Sequence, residues 1–196
     1  MKSTGELDPR DTAIVLIDHQ IGTMGWVRSI EQKEMEKNAA ALAKVAVALD
    51  MPLVLTSSME EYAQGPLMPQ LKEIAPDNYE SRIKRGGIVN CWNDKNFSDA
   101  VRATGKKTLI MAGVTTDVCL APPAISVKDE GFNIITIADA SGSPSKMADD
   151  MAIRRMEKSG VTVTTTNAII AELAKDWTSD DGSKLIQIVM SDLLPE

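Results

Sequence analysis

Cys119 ends the stretch Ala112-Gly113-Val114-Thr115-Thr116-Asp117-Val118-Cys119, where an apolar run gives way to a helical pattern. A thiol in the first turn of a helix faces unpaired N–H groups and the positive end of the helix dipole, which lower its pKa and favour the nucleophilic thiolate. The same N–H groups suit a developing oxyanion. The other common use of a free cysteine is as a small buried hydrophobe. Asp18 follows the apolar run Ala13-Ile14-Val15-Leu16-Ile17. A carboxylate there is costly to bury without a partner or a task, so Asp18 is either a base or a turn-forming cap. Lys84-Arg85, ahead of Gly86-Gly87, supplies a cation, either as a solvated loop pair or as the partner of a carboxylate. His19 lies between Asp18 and Gln20 and points away from both if the strand continues, which suits a packed or hydrogen-bonded role.

These residues need a scaffold that brings them together. Residues 13–17, 53–55, 108–111, 134–137 and 161–163 are short, apolar and bounded by breakers, as expected of strands buried on both faces of a parallel sheet. Between them lie helical patterns. In 31–50, Met35, Ala39, Leu42, Ala46 and Leu49 form one apolar stripe. A second helix is expected from an Asn93 cap to Gly105, a third from about Thr116 to Gly131, and a fourth from Ser143-Pro144 to Gly160. Two more are expected in 168–194. Segment 58–92, rich in Gly and Pro, reads as a structured excursion serving as a lid or an interface. The alternation predicts a single α/β domain over 1–196, a Rossmann-like, doubly wound, mainly parallel sheet with helices on both faces. Sites in such folds lie beyond the carboxyl ends of the strands, where Asp18 and Cys119 both fall.

Composition narrows the chemistry. The chain has 196 residues, 43% of them hydrophobic and 25% charged, enough for one globular core. One histidine leaves little room for His-based metal sites, and no metal or cofactor is expected. A net charge of −7 with only short basic clusters argues against nucleic-acid binding. The absence of a long apolar run argues against a membrane span. The polar start and two cysteines predict a reducing, cytoplasmic setting.

Asp18 in Ile17-Asp18-His19-Gln20, a cation at 84–85 before Asn90-Cys91-Trp92, and the stretch ending at Cys119 together resemble the isochorismatase-like cysteine hydrolases, most closely their YcaC-type branch. Gly65-Pro66-Leu67, Ala103-Thr104-Gly105-Lys106-Lys107, Glu130-Gly131-Phe132 and Thr136-Ile137-Ala138-Asp139-Ala140-Ser141-Gly142 extend the likeness, which covers roughly residues 8–178. The resemblance implies an isochorismatase-like hydrolase fold and a triad of nucleophile Cys119, base Asp18 and positioning cation Arg85, with adjacent Lys84 as the alternative cation. It implies an oxyanion hole from the backbone N–H groups of Thr115 and Cys119, with a cis Val114–Thr115 peptide. Gln20, Trp26, Lys84, Asn90, Trp92 and Val114 are the pocket candidates. Thr56 to Tyr62 contains no histidine, so the metal site of nicotinamidase-type relatives is not implied.

The expected function is metal-independent hydrolysis of a small amide or related C–N substrate through a thiolate and an acyl-enzyme. A homo-oligomer is expected by the same resemblance, an octamer of two stacked rings. Three alternatives stay open: a catalytically silent binding or scaffold protein, a thiol redox protein using Cys119 and Cys91, and a flavodoxin-like cofactor carrier. Pro122-Pro123, just after the nucleophile, removes two N–H groups and implies a kinked or late-starting helix.

Overall fold

The computed structural model describes residues 7–194, so residues 1–6 of the polar N-terminal stretch lie outside it, as do 195–196. Six strands, β1 (Thr12–Ile17), β2 (Leu53–Ser58), β3 (Ile83–Arg85), β4 (Thr108–Gly113), β5 (Asn133–Ile137) and β6 (Thr162–Thr164), form one sheet in the order β3-β2-β1-β4-β5-β6. Every pairing is parallel. The helices are α1 (Ile21–Met24), α2 (Gln32–Ala48), α3 (Pro69–Ile74), α4 (Pro76–Glu80), α5 (Lys95–Ala103), α6 (Ala121–Asp129), α7 (Lys146–Lys158), α8 (Thr166–Ala174) and α9 (Asp180–Ile188). This is the doubly wound order, whose chain reverses direction across the sheet between β1 and β4.

The sheet is covered on both faces, and strand periodicity divides its side chains between two cores. Ile14 and Leu16 of β1 and Ile110 and Ala112 of β4 pack with α2, α8 and α9. Ala13, Val15, Ile17, Leu109 and Met111 face the other way, against α5, α6 and α7. The apolar stripe of α2 buries Met35, Ala39, Leu42 and Ala46 as its spacing requires.

Local capping moves three boundaries. Helix α5 is capped by Asp94, whose carboxylate accepts from the Asn96 and Phe97 amides, and not by Asn93. Ser145 caps α7 by accepting from the Ala148 amide. Ser143 is engaged elsewhere: its carbonyl accepts from the Arg28 and Ser29 amides and its hydroxyl donates to Asp149. The expected third helix begins at Ala121, so that Pro122 and Pro123 occupy first-turn positions needing no N–H partner. Residues 116–120 form a separate π turn ahead of it. The 58–92 excursion is also more regular than its composition suggests, containing α3, α4 and the edge strand β3.

His19 is fully buried, with Nε2 2.8 Å from the Ala140 carbonyl oxygen. That acceptor requires the proton on Nε2, and Nδ1 is left without a partner among the described residues. Burial lowers the His19 pKa to about 4, against the Ala140 bond, which favours the charged ring. An unfolded chain takes up this proton near pH 6.5, so between 6.5 and 4 it binds more protons than the native protein. The neutral ring's contribution is therefore complete above that window. It falls as pH drops through it, by roughly 3 kcal/mol in total. NMR of the chain's one imidazole checks this directly: its resonances stay those of a neutral ring down to about pH 4 while the fold persists.

Candidate active site

The turn after β1 sets the geometry. Asp18 has φ +58°, a left-handed conformation that aspartate tolerates better than bulkier residues, and its N–H donates to the Thr56 carbonyl at 2.9 Å. The turn carries the carboxylate over the switch between β1 and β4. Arg85, the last residue of β3, meets it there: one guanidinium nitrogen donates to Asp18 Oδ1. Nε donates to Thr56 Oγ1 at 2.9 Å and a further nitrogen to the Ile88 carbonyl at 3.2 Å. The two charged side chains are 1% and 2% exposed, so this is a fully buried ion pair.

Strand alternation selects between the two candidate cations. Register pairs Ser57 with Lys84 and Ser58 with Arg85, so adjacent side chains leave opposite faces of β3. Lys84 reaches outward to Glu60 Oε2 at 3.4 Å and lies outside the cavity. Arg85 is the cation brought to Asp18.

Cys119 sits in the π turn, half-buried, with its thiol beside the Asp18 carboxylate. The Val114–Thr115 peptide is cis, as the family resemblance implied. The carbonyl of Thr115 accepts from the Val118, Cys119 and Leu120 amides at 3.3, 2.8 and 3.2 Å. Among the described residues, the Thr115 amide itself finds no protein acceptor. Support comes from the next loop: the Thr116 amide donates to the Gly142 carbonyl, and Ser141 Oγ accepts from the Gly113 amide. Gly142 packs so closely that a Cβ there would lie 2.6 Å from Val27 Cγ1.

The electrostatics correct one expectation. Cys119 precedes α6, and its thiol pKa is not lowered but raised, by burial first and by the neighbouring Asp18 carboxylate next. The resting sulfur is a thiol. Burial also raises the Asp18 pKa, against the pull of Arg85. Desolvation opposes the Arg85 charge, but Asp18 holds its pKa above the ordinary value. A carboxylate made more basic by burial, beside a protonated thiol, can accept that proton when an electrophile arrives.

These groups open into a cavity of about 330 Å³, lined also by Gln20, Trp26 and Thr115. Trp26 forms part of its wall at 46% exposure. Gln20 has no free amide to offer. Its Nε2 donates to the Ser58 and Gly65 carbonyls and its Oε1 accepts from the Ser58 amide, so it pins the cavity wall. Three pocket candidates besides Lys84 fall outside. Asn90 caps the following turn through the Trp92 amide and donates to Ser126. Trp92 packs edge-on to Phe97 and Phe132 and donates to Glu130. Val114 is wholly buried in the core. The sequence reading missed Thr23, Gln64, Ile88, Val89, Asp117 and Val118 in the lining. Adjacency to Cys119 was a signal for Asp117 and Val118, whereas Thr23 and Gln64 arrive through loop folding alone.

Cys91 is fully buried and its thiol is pushed up to about 12 by burial; both cysteines are free. Among the described residues no group of three or more His, Cys, Asp or Glu is placed to hold a metal ion, and no helix is long and apolar enough to cross a membrane.

Residues 12–168 match the isochorismatase domain family. The chain is 41% identical over 174 residues to the probable hydrolase YcaC of Escherichia coli, covering 89% of this chain and 83% of that protein. The crystal structure of the Escherichia coli protein, described as an octameric hydrolase of unknown specificity, superposes with a TM-score of 0.93 at 38% identity, covering 98% and 93% of the two chains. YcaC from Pseudomonas aeruginosa, solved with hexane-2,5-diol and covalent acrylamide, gives 0.91 at 36% identity, covering 98% and 94%.

The two cations are expected to separate in stability. Arg85→Ala strands a buried carboxylate and should cost about 3–5 kcal/mol in urea unfolding. Lys84→Ala removes a loose surface pair and should stay within about 0.5 kcal/mol. Equal losses would contradict the assignment of Arg85 to the ion pair.

Proposed function

Because the chain belongs to the isochorismatase family, we propose that it is a cysteine hydrolase that cleaves a small amide or related C–N substrate through an acyl-enzyme on Cys119. The observation that carries this reading is a half-buried thiol beside a carboxylate whose basicity burial raises. The covalent acrylamide in the Pseudomonas YcaC structure is in keeping with a reactive nucleophile in a protein of this family.

The proposed sequence begins with transfer of the thiol proton of Cys119 to Asp18 as sulfur attacks the carbonyl carbon. Charge developing on the carbonyl oxygen is received by the Thr115 N–H, which has no partner among the described residues, and by the Cys119 N–H in place of part of its bond to the Thr115 carbonyl. Asp18 returns the proton to the departing nitrogen, the C–N bond breaks, and a thioester remains. Water, deprotonated by Asp18, then attacks the thioester. The acid leaves and the thiol is restored. Arg85 stays charged throughout and orients Asp18 through a two-pronged grip that includes Thr56. No step requires a metal.

We also propose a homo-oligomer. Trp26, Val89, Met147 and Met151 expose 46%, 62%, 76% and 51% of their surfaces, an excess of apolar area that a second copy can cover. The close match to an octameric relative supports eight copies. Light scattering on the eluting protein should give eight times the 21.2 kDa chain mass, and a monomer peak would overturn the proposal.

Ammonia release across a panel of small primary amides tests the chemistry. The hydrolysed amide should lose all turnover in Cys119→Ala and about 10²–10⁴-fold in Asp18→Asn, with the fold intact by circular dichroism. Turnover surviving in Cys119→Ala would sink the mechanism. Complete inertness of wild type towards the panel, together with a Cys119 no more reactive than free cysteine, would favour a silent scaffold.

A further inference from the structure

Asp117 lies two residues before Cys119 and lines the cavity, half-buried. Its Oδ1 is shielded from solvent and has no hydrogen-bond partner among the described residues, and no ion pair reaches the carboxylate. The other charged groups in the lining are Asp18 and Arg85, and these two are spent on each other. Thr23, 4% exposed and also in the lining, has its one hydroxyl oxygen likewise shielded and without a hydrogen-bond partner among the described residues. Both residues line the cavity, and the free-energy cost of an unsatisfied buried polar atom is one that a side-chain rotation towards a ligand donor recovers.

We propose that Asp117 is a specificity-determining residue that selects neutral or cationic substrates bearing an N–H donor and excludes carboxylates and other anions. The inference rests on Cys119 being the reactive group of this cavity, as argued above. Its charge logic is separate. With the Asp18–Arg85 pair neutral overall, Asp117 leaves the cavity with one uncompensated negative charge. A substrate N–H or ammonium group is attracted to that carboxylate. An anionic group brought to the same place in a partly desolvated cavity is repelled by more than the tenfold equivalent of about 1.4 kcal/mol. A competing explanation assigns Asp117 to the N-terminal turn, where a negative charge near the helix start is stabilising. That role requires no cavity and no orphaned oxygen, and it has no influence on which reagent reaches the sulfur.

Matched alkylating agents separate the two explanations without a known substrate. Iodoacetamide and iodoacetate react alike with Cys119: the S–C bond forms, the C–I bond breaks, iodide departs and the thiol proton is lost. They differ in carrying a neutral N–H donor or a carboxylate. Rates at Cys119 would be followed by peptide mass on the full-length protein near neutral pH, and each divided by its rate with glutathione. The wild type should favour iodoacetamide by roughly tenfold or more after this correction. Asp117→Asn should reduce the preference to within about twofold, through a faster reaction with iodoacetate, and Asp117→Glu should keep it. A corrected ratio near one in the wild type overturns the proposal. So does an unchanged ratio in Asp117→Asn, including one accompanied only by lost stability, which is the helix-terminus result. If neither reagent modifies Cys119, the nucleophile assignment fails and this inference falls with it. An altered ratio in a reactive protein tests Asp117 alone.

Discussion

The buried Asp18–Arg85 pair is the constraint around which the site is arranged. Taking two charges out of water is costly, and the cost is met only where geometry supplies further hydrogen bonds. Here it does: Thr56 and the Ile88 carbonyl hold the guanidinium, and Thr56 also receives the Asp18 amide through its own carbonyl. Each of these contacts ties a different part of the chain to one point. Asp18 belongs to the turn after β1, Thr56 to β2, Arg85 to β3, and Ile88 to the loop beyond it. The left-handed backbone at Asp18 is the local condition for this convergence.

On the other side of the switch point, β4 delivers Cys119 by a different device. Two prolines force the regular helix to begin only at Ala121, and the residues between strand and helix close into a π turn around the Thr115 carbonyl. The sulfur is thus placed by a short, tightly bonded turn rather than by a helix. Its protonation follows from that placement. Buried ahead of the helix and beside a carboxylate, the thiol is held in its neutral form, and in the proposed mechanism reactivity depends on a base close by rather than on a standing thiolate.

Much of this was legible in the chain. Apolar, β-branched runs marked five of the six strands, and their alternation with helical stripes pointed to the parallel, doubly wound sheet. Asp18 stood out because it directly follows such a run, and Cys119 because it ends the stretch that leads from one into a helical pattern. β3 was hidden, since a three-residue edge strand with two charges carries no apolar signature. Once its register is known, the choice of Arg85 over Lys84 follows from side-chain alternation, but register is a tertiary fact. Asn90 and Trp92 were misplaced for a related reason: proximity in sequence to the cation suggested the cavity, whereas the chain turns there and buries the indole in the second core. The caps at Asp94 and Ser145 each competed with a neighbour of similar chemistry, and only the partner contacts decided between them. Gln20 illustrates the opposite error, a polar residue correctly placed at the cavity whose amide is already consumed by the loop it supports.

One consequence concerns the solitary imidazole. Histidine is the side chain whose ordinary titration falls in the neutral range, and this protein has a single copy sealed in uncharged form. The scaffold therefore lacks the usual switch by which a surface gains charge on mild acidification, and the side-chain balance of −7 carries no histidine contribution to vary. Long-range fields around the particle, and with them the approach of charged solutes, are insulated from modest swings in acidity. In the proposed reaction, sensitivity to acidity has no histidine to arise from, which directs attention to the carboxylates that line the cavity.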